Sequence, residues 1–301
     1  MKILHICAGW EETNGAAVIA RLIAEEQRQQ GHEIVYGTCV NRAEIRAADE
    51  VWTHCGWLPV LWRAGWFAKR LVRMPEACYD PVRLAYHGWK KRLVGPIERF
   101  FLRRAKKVLA TCAAEREWIL RYEPKARVEV VDVKRYFRLE REAREAKGKG
   151  EGEQRTVNLL YLGRRHPLKG VEYLERAVRE INENHPLSTS TSHLHLRIVS
   201  DATGDAKEAL WDWCDVLVLP TLSENFGLVV AEALERGKRV ITTDGAPAWA
   251  PPAPTQAVPR AECLVPSYGG RLIYLKGYRD GTAATRVKLL KQALLALGTK
   301  H

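Results

Sequence analysis

Two glutamates stand eight residues apart in SENFGLVVAEAL, Glu224 and Glu232, with Phe226-Gly227-Leu228 between them. Glu224 falls in a loop after an apolar strand. Glu232 falls about a turn and a half into the helix that follows. A helix start with a glycine presents free backbone N–H groups, which favour an anion. Glu232 is flanked by Val229, Val230, Ala231, Ala233 and Leu234. A carboxylate among such neighbours is costly unless it is hydrogen-bonded. Sugar or ribose hydroxyls would serve as partners, and an internal ion pair to an Arg is the alternative.

A second group of residues is Gly163-Arg164-Arg165-His166-Pro167-Leu168-Lys169-Gly170, which follows an apolar strand and opens a helix. Cations at such a strand end are suited to clamping a diphosphate. Alone the pattern also fits a solvated basic loop. Combined with the two glutamates it becomes specific.

The elements that position these residues form two series. In the first, KILHICA reads as a buried strand and Ala16–Gln30 as a helix closed by Gly31. Strands at 33–36 and 50–54 follow, then a helix at 58–70 and a long basic helix at 88–107, kinked at Gly95-Pro96. A strand at 108–112, a helix at 113–122 and a strand at 128–133 complete the series. Arg138–Arg155 carries eleven charges in eighteen residues, with three glycines, and reads as a linker. The second series has strands at 157–163, 194–199, 215–219 and 240–243, and helices at 170–184 and 227–236. The loop Ser188–Ser192 and the Pro-rich stretch Pro247–Pro259 read as irregular, and 282–297 as a last helix. The predicted class is α/β, with two Rossmann-like domains. Their bounds are 1–137 and 156–281, joined by the linker 138–155 and followed by a C-terminal helix at 282–301. At roughly 150 residues per domain, 301 residues fit that count.

The charge is +12, from 48 basic and 36 acidic residues, and it is uneven. Between Leu61 and Ala110 stand 13 Lys and Arg against Glu76, Asp80 and Glu98, which is +10 in fifty residues. Five of the ten tryptophans (52, 57, 62, 66 and 89) overlap this zone. Trp beside cations suits an anionic membrane surface, so residues 61–110 are expected to dock on one. A packed core beneath a solvated basic face is the plainer reading. A nucleic-acid binder would leave the two glutamates and the cations near 164–169 unexplained, so nucleic acid is set aside. The seven cysteines have no Cys-x-x-Cys spacing, which speaks against a disulfide framework or structural zinc. Glu11-Glu12 interrupts the apolar start too early for a signal peptide, and no apolar run approaches a membrane span. The expected compartment is the cytosol, with peripheral attachment to the inner face of the cytoplasmic membrane as the form docking would take.

Together these segments resemble the retaining family-four glycosyltransferases of the GT-B fold. DEVWTHCGW (49–57) is similar to that family's strand ending in His-Gly-Leu-Trp. PEACYDPVRL (75–84) resembles a Pro-Arg-Gly-Met-Leu-Asp-Pro segment of its polysaccharide-building members. GWKKRL and IERFFLRRAKKVLATCAAE match the helix and strand that follow, and ITTDGAPAW (241–249) resembles a Thr-Asp-Gly-Thr-Pro-Trp segment. The likeness runs to about Trp249. It implies two domains facing across a cleft and sugar transfer from a nucleoside-diphosphate donor (UDP-, GDP- or ADP-linked). The implied acceptor is a lipopolysaccharide or other surface polysaccharide, glycan or lipid-linked. No cofactor beyond the donor and no metal are implied.

By position, the resemblance assigns Arg164 and Lys169 to the diphosphate and Glu232 to the ribose. Glu224 goes to the donor sugar, with the amides of Phe226, Gly227 and Leu228 beside it. Asn14-Gly15 would admit the phosphates to the first domain's backbone, and His54 would line the acceptor side.

Three departures stand out. Glu76-Ala77 replace Arg-Gly. Only about fourteen residues (201–214) bridge to the next strand, where a glycine-rich loop, helix and extra strand are usual, so the second domain is expected to be short. After Trp249 the resemblance places neither the Pro-rich stretch nor GGRLIYLKGYRDG. A degenerate, non-catalytic member that binds glycan or a partner enzyme is the alternative function.

Overall fold

The computed structural model describes residues 1–7, 15–38, 40–137, 139, 156–184, 193–251, 264–268 and 270–297. The chain divides into two compact units, Met1–Tyr136 and Phe137–His301. The expected linker, apart from Leu139, lies outside the described residues. So do the Ser188–Ser192 loop and the Pro-rich stretch from 252 onward.

The first unit runs β1 (Lys2–Cys7), α1 (Gly15–Gln29), β2 (Glu33–Gly37), α2 (Arg42–Ala47), β3 (Glu50–His54) and α3 (Pro59–Phe67). It continues with β4 (Leu71–Met74), α4 (Pro81–Arg104), β5 (Lys107–Ala110), α5 (Ala113–Tyr122) and β6 (Val128–Val130). Its sheet has the order β2-β1-β3-β4-β5-β6, and every pairing is parallel. Parallel strands are covered on both faces, which is why they read as short apolar runs. Leu4, Ile6, Val51, Leu71 and Val108 from the strands pack with Ala64, Leu102 and Ile119 from the helices in one buried cluster.

Three elements depart from the sequence reading. The helix expected at 58–70 stops at Phe67, and β4 follows it. Arg73 hid this strand by interrupting its apolar run. α2 was not foreseen. It is held by a capping box in which Asn41 accepts from the Glu44 N–H and Glu44 reaches back to the Asn41 N–H. The long basic helix starts at Pro81 rather than Gly88, because Asp80 accepts from the Val82 N–H and Pro81 supplies a helical φ. Its non-helical residue is Gly88 (φ 52°, ψ −133°), not the Gly95-Pro96 pair.

The second unit contains β7 (Thr156–Leu162), α6 (Val171–Asn184), β8 (His193–Val199), α7 (Gly204–Trp213) and β9 (Val216–Leu219). Then come α8 (Leu228–Glu235), β10 (Arg239–Thr243), β11 (Leu264–Ser267), β12 (Leu272–Leu275) and α9 (Ala283–Ala296). The sheet order is β11-β12-β10-β9-β7-β8, parallel except for β11 against β12. Val171, Leu174, Val178 and Ile181 recur at helical spacing and give α6 its buried face, and α9 packs against α6. Two expectations are corrected here. Residues 201–214 are not a bare bridge but contain α7, whose Trp211 is fully buried. The unplaced GGRLIYLKGYRDG segment supplies β12, which pairs with β10.

Candidate functional site

In the second sheet the chain passes from β7 outward to β8 and then returns to place β9 on the other side of β7. The strand order therefore reverses between β7 and β9. In open α/β sheets, ligands bind beyond the carboxyl ends of the strands at such a point. Both chemistry-bearing segments emerge there. The loop after β7 carries Arg164 to Lys169, and the loop after β9 carries Glu224 and the start of α8.

The two loops lie in direct contact. Leu222 N–H donates to the Leu168 carbonyl (2.8 Å), and the Thr221 hydroxyl donates to the same oxygen (3.1 Å). A β-carbon on Gly170 (φ 63°) would come within 2.2 Å of the Pro220 carbonyl oxygen, so only glycine permits this approach. Across the join, Lys169 Nζ donates to Glu224 Oε2 at 2.5 Å, with both side chains mostly buried. Glu224 is fixed from behind by its own N–H, which donates to the Gly245 carbonyl (2.8 Å). That carbonyl belongs to the turn after β10, where Asp244 accepts from the Gly277 (2.6 Å) and Arg279 (2.7 Å) N–H groups.

Gly227 caps α8 in a left-handed conformation (φ 72°). No side chain caps this terminus, and its first turn holds no acidic residue. The partial positive charge of the helix end is left for a ligand. Phe226 is buried against Phe137 and Trp249, and its carbonyl accepts from the Trp249 indole. Its side chain therefore anchors the loop, and only its backbone is available to a ligand.

The two arginines of the β7 loop differ. Arg165 is paired with Glu175 through two nitrogens (2.5 and 3.2 Å). Arg164 is exposed and makes no side-chain hydrogen bond or ion pair among the described residues. Its carbonyl is held by the Tyr161 hydroxyl (2.9 Å), which fixes the loop backbone without using the guanidinium. Glu232 does form an ion pair, but with Lys207 of α7 (2.7 Å) rather than with an arginine. Lys207 belongs to the 201–214 segment, which its length predicts to be a bridge and which contains α7.

Comparison with known proteins accords with this geometry. A family model described as a glycosyl transferase 4-like domain matches residues 42–133. A second, glycosyl transferases group 1, matches residues 156–266. Together they span about two thirds of the chain. The chain belongs to the GT-B glycosyltransferases.

Solved structures share the fold at low identity. HepE from Anabaena, solved in complex with UDP-glucose, is 15% identical with a TM-score of 0.60, covering 99% of this chain and 94% of its own. Sucrose-phosphate synthase from Thermosynechococcus elongatus is 14% identical with a TM-score of 0.59, covering 99% and 96%. WaaG, a glycosyltransferase involved in lipopolysaccharide biosynthesis, is 13% identical with a TM-score of 0.55, covering 97% and 90%. No curated protein matches the chain in sequence.

The first unit of this glycosyltransferase has its own reversal point, between β1 and β3, with β2 on the far side of β1. Gly15 opens α1 there; Asn14, expected beside it, lies outside the described residues. His54, expected on the acceptor side, ends β3 with 0% exposure. It faces two other side chains rather than solvent. Its Nε2 meets His5 Nδ1 (3.0 Å), and its Nδ1 lies 3.5 Å from Glu76 Oε1. His5 in turn meets Gln27 Oε1 (2.7 Å) and stacks on Trp52. Burial holds both imidazoles near pKa 3, and for His5 the neighbouring His54 adds to the effect. Burial pushes the Glu76 carboxyl up to about 8. The row Gln27–His5–His54–Glu76 is therefore neutral at pH 7.

Sequence reasoning missed His5, Gln27 and Lys207. A histidine inside an otherwise apolar strand was the available signal for His5. Among the described residues, no group of three His, Cys, Asp or Glu side chains is placed to hold a metal ion. No helix among them is long and apolar enough to cross a membrane.

Proposed function

We propose that this glycosyltransferase moves a sugar, with retention at the anomeric carbon, from a nucleoside-diphosphate donor to a lipopolysaccharide or other surface-polysaccharide acceptor, lipid-linked in form. The observation that carries the proposal is the Lys169–Glu224 pair at the β7/β9 reversal, beside exposed Arg164 and the uncapped start of α8. In the reaction the anomeric carbon–oxygen bond to the diphosphate breaks. The electron pair leaves with the phosphate, and a bond forms to an acceptor hydroxyl that gives up its proton. Arg164 and Lys169 stabilise the departing diphosphate, where negative charge grows. Glu224 holds donor sugar hydroxyls and is oriented for this by Lys169. The N–H groups of Phe226, Gly227 and Leu228 face the same anion, and Glu232 exchanges part of its Lys207 contact for the ribose hydroxyls.

On the first unit, Gly15 admits the donor phosphates to the backbone. His54 shapes the acceptor side from beneath the surface. No cofactor beyond the donor (UDP-, GDP- or ADP-linked) and no metal enter the scheme. The exposed Trp66 and Trp89 within the basic segment 61–110 support docking on an anionic membrane.

Turnover of UDP-, GDP- and ADP-sugars, read by mass spectrometry of the product, tests the proposal. Lys169→Ala and Glu224→Ala are each expected to lower kcat/KM by about a hundredfold or more. Absence of wild-type turnover across the panel would favour the non-catalytic alternative.

A further inference from the structure

After Gly88, α4 presents three distinct faces. Gly95, Glu98, Phe101 and Leu102 point into the core of the first unit. Leu93, Ile97 and Phe100, spaced four and three residues apart, form an exposed apolar stripe, with Leu93 70% exposed. Arg92 and Arg99, seven residues apart, form a cationic stripe beside it. Soluble helices rarely leave such a stripe uncovered next to a row of cations.

Each exposed face borders a cavity. The first, about 480 Å³, is lined by Trp57, Gly88, Lys91, Arg92, Arg99 and Tyr122, among others, and no acidic residue lines it. Lys91 is half-buried over the Trp57 ring (4.8 Å) and donates to the Cys78 carbonyl (3.3 Å), while Arg99 lies over Tyr122 (5.0 Å). Burial lowers the Lys91 pKa, and an anion in the cavity would offset that cost. The second cavity, about 540 Å³, is an apolar groove between Trp62, Trp66, Phe67, Ile97, Phe100 and Phe101, with Arg63 also lining it. Trp66 is 61% exposed and packs on Phe100.

The two cavities share Pro96. Gly88, where the helix breaks (φ 52°), lines the basic one together with Leu84 and Ala85 from the segment before it. A multivalent cationic pocket that adjoins an apolar groove at Pro96 matches an amphiphile, not a free sugar or a soluble anion. We propose that pocket and groove together form one site for a phosphate-headed lipid, with the phosphate among Lys91, Arg92 and Arg99 and the hydrocarbon chain along Trp66, Ile97 and Phe100. This rests on the glycosyltransferase reading in one respect: the lipid so held is the acceptor's carrier. The site lies wholly within the first unit, so its occupancy is measurable without a donor.

The probes are dodecyl phosphate below its micelle concentration, inorganic phosphate and dodecanol, titrated into the full chain by calorimetry. Dodecyl phosphate is expected to bind at least about tenfold more tightly than either other probe, since only it engages both cavities. Arg92→Ala combined with Arg99→Ala should remove the preference over dodecanol. Trp66→Ser combined with Phe100→Ser should remove the preference over phosphate. All four side chains are exposed, and a thermal melt of each variant confirms that it folds. Equal binding of phosphate and dodecyl phosphate overturns the proposal. So does dodecyl phosphate binding that ignores both double variants, or attachment to anionic vesicles with no dodecyl phosphate binding. A protein that binds dodecyl phosphate in this pattern but turns over no donor of the panel when dodecyl phosphate is left out would instead count against the transferase chemistry and leave the lipid site standing.

Discussion

Glu76 provides a quantitative test of how the first unit is built. Its carboxyl is fully buried and keeps its proton up to about pH 8, against 4.5 for the free group, because burial disfavours the charged form. The Cys55 thiol, which donates to Glu76 Oε2 (3.5 Å), and the charge of Arg83 pull the value down without cancelling that effect. Between pH 4.5 and 8 the unfolded chain has lost this proton and the folded chain retains it. Stability therefore falls as pH rises through that window and levels off above it. Each pKa unit corresponds to about 1.4 kcal/mol, so the loss from pH 5 to pH 8 is about 3–4 kcal/mol.

The perturbation is Glu76→Gln, which keeps the shape and cannot ionise. Denaturant-induced unfolding at pH 5, 6, 7 and 8, with hydrogen exchange of the β1 and β3 amides as the local probe, gives the difference between the two proteins. The variant should gain about 3–4 kcal/mol relative to wild type as pH goes from 5 to 8. His5 and His54, whose pKa values are lowered to about 3, contribute the opposite slope below pH 6.5. Glu115, raised by burial, adds a slope of the same sign as Glu76. The histidine contribution is common to the two proteins and cancels in the comparison, while the minor part of the Glu115 shift that comes from the Glu76 charge is removed with it. Parallel stability curves across the four pH values would refute the assignment of a buried, protonated Glu76.

Two further outcomes follow from buried charge elsewhere. Glu98 has no exposure and accepts from Arg73 (3.0 Å), Tyr79 (2.7 Å), the Trp57 N–H (2.9 Å) and the Trp62 indole, so Glu98→Ala should cost about 3–5 kcal/mol by leaving Arg73 buried without its partner. Urea unfolding measures this, and a cost below about 1 kcal/mol would contradict the ion-pair account. In the second unit, Glu232→Ala should raise the donor KM about tenfold with kcat nearly unchanged, as expected for binding shared by ground and transition states. An equal fall in kcat would show that Glu232 acts on the reacting bond instead.

Much of the fold was legible because parallel strands buried on both faces are written as short apolar runs. KILHIC, EVWTH and TVNLLYL could be read in this way, and AAEREWILRY could be read as a helix. Reading failed where local pattern and tertiary role disagree. LVRM was passed over because Arg73 looks like a surface residue, and its partner Glu98 lies 25 residues further along. The start of α4 was placed at Gly88 because a glycine usually marks a boundary. Here it marks a bend within a merged helix, and Asp80-Pro81 is the true start.

The candidate site divides in the same way. Glu224, Lys169, Arg164 and Gly227 could be named from residue type, spacing and family likeness, because each sits beside its own strand end or helix start. Their meeting could not be read locally. Lys169 and Glu224 touch only because β9 returns to the opposite side of β7 from β8. That same order brings Lys207 of α7 to Glu232 of α8, whereas Arg165 meets Glu175 only ten residues on, within the connection from β7 to α6. His54 makes the point from the other direction. The resemblance assigns it to the acceptor side, and the placing of β3 beside β1 sets its ring against His5 with no exposure.

The sequence by itself determined the elements and their chemical inventory, since both follow from side-chain periodicity over a few residues. The tertiary structure decided which charges neutralise each other and which remain for a ligand, because pairing depends on strand order, a long-range property that no local spacing encodes.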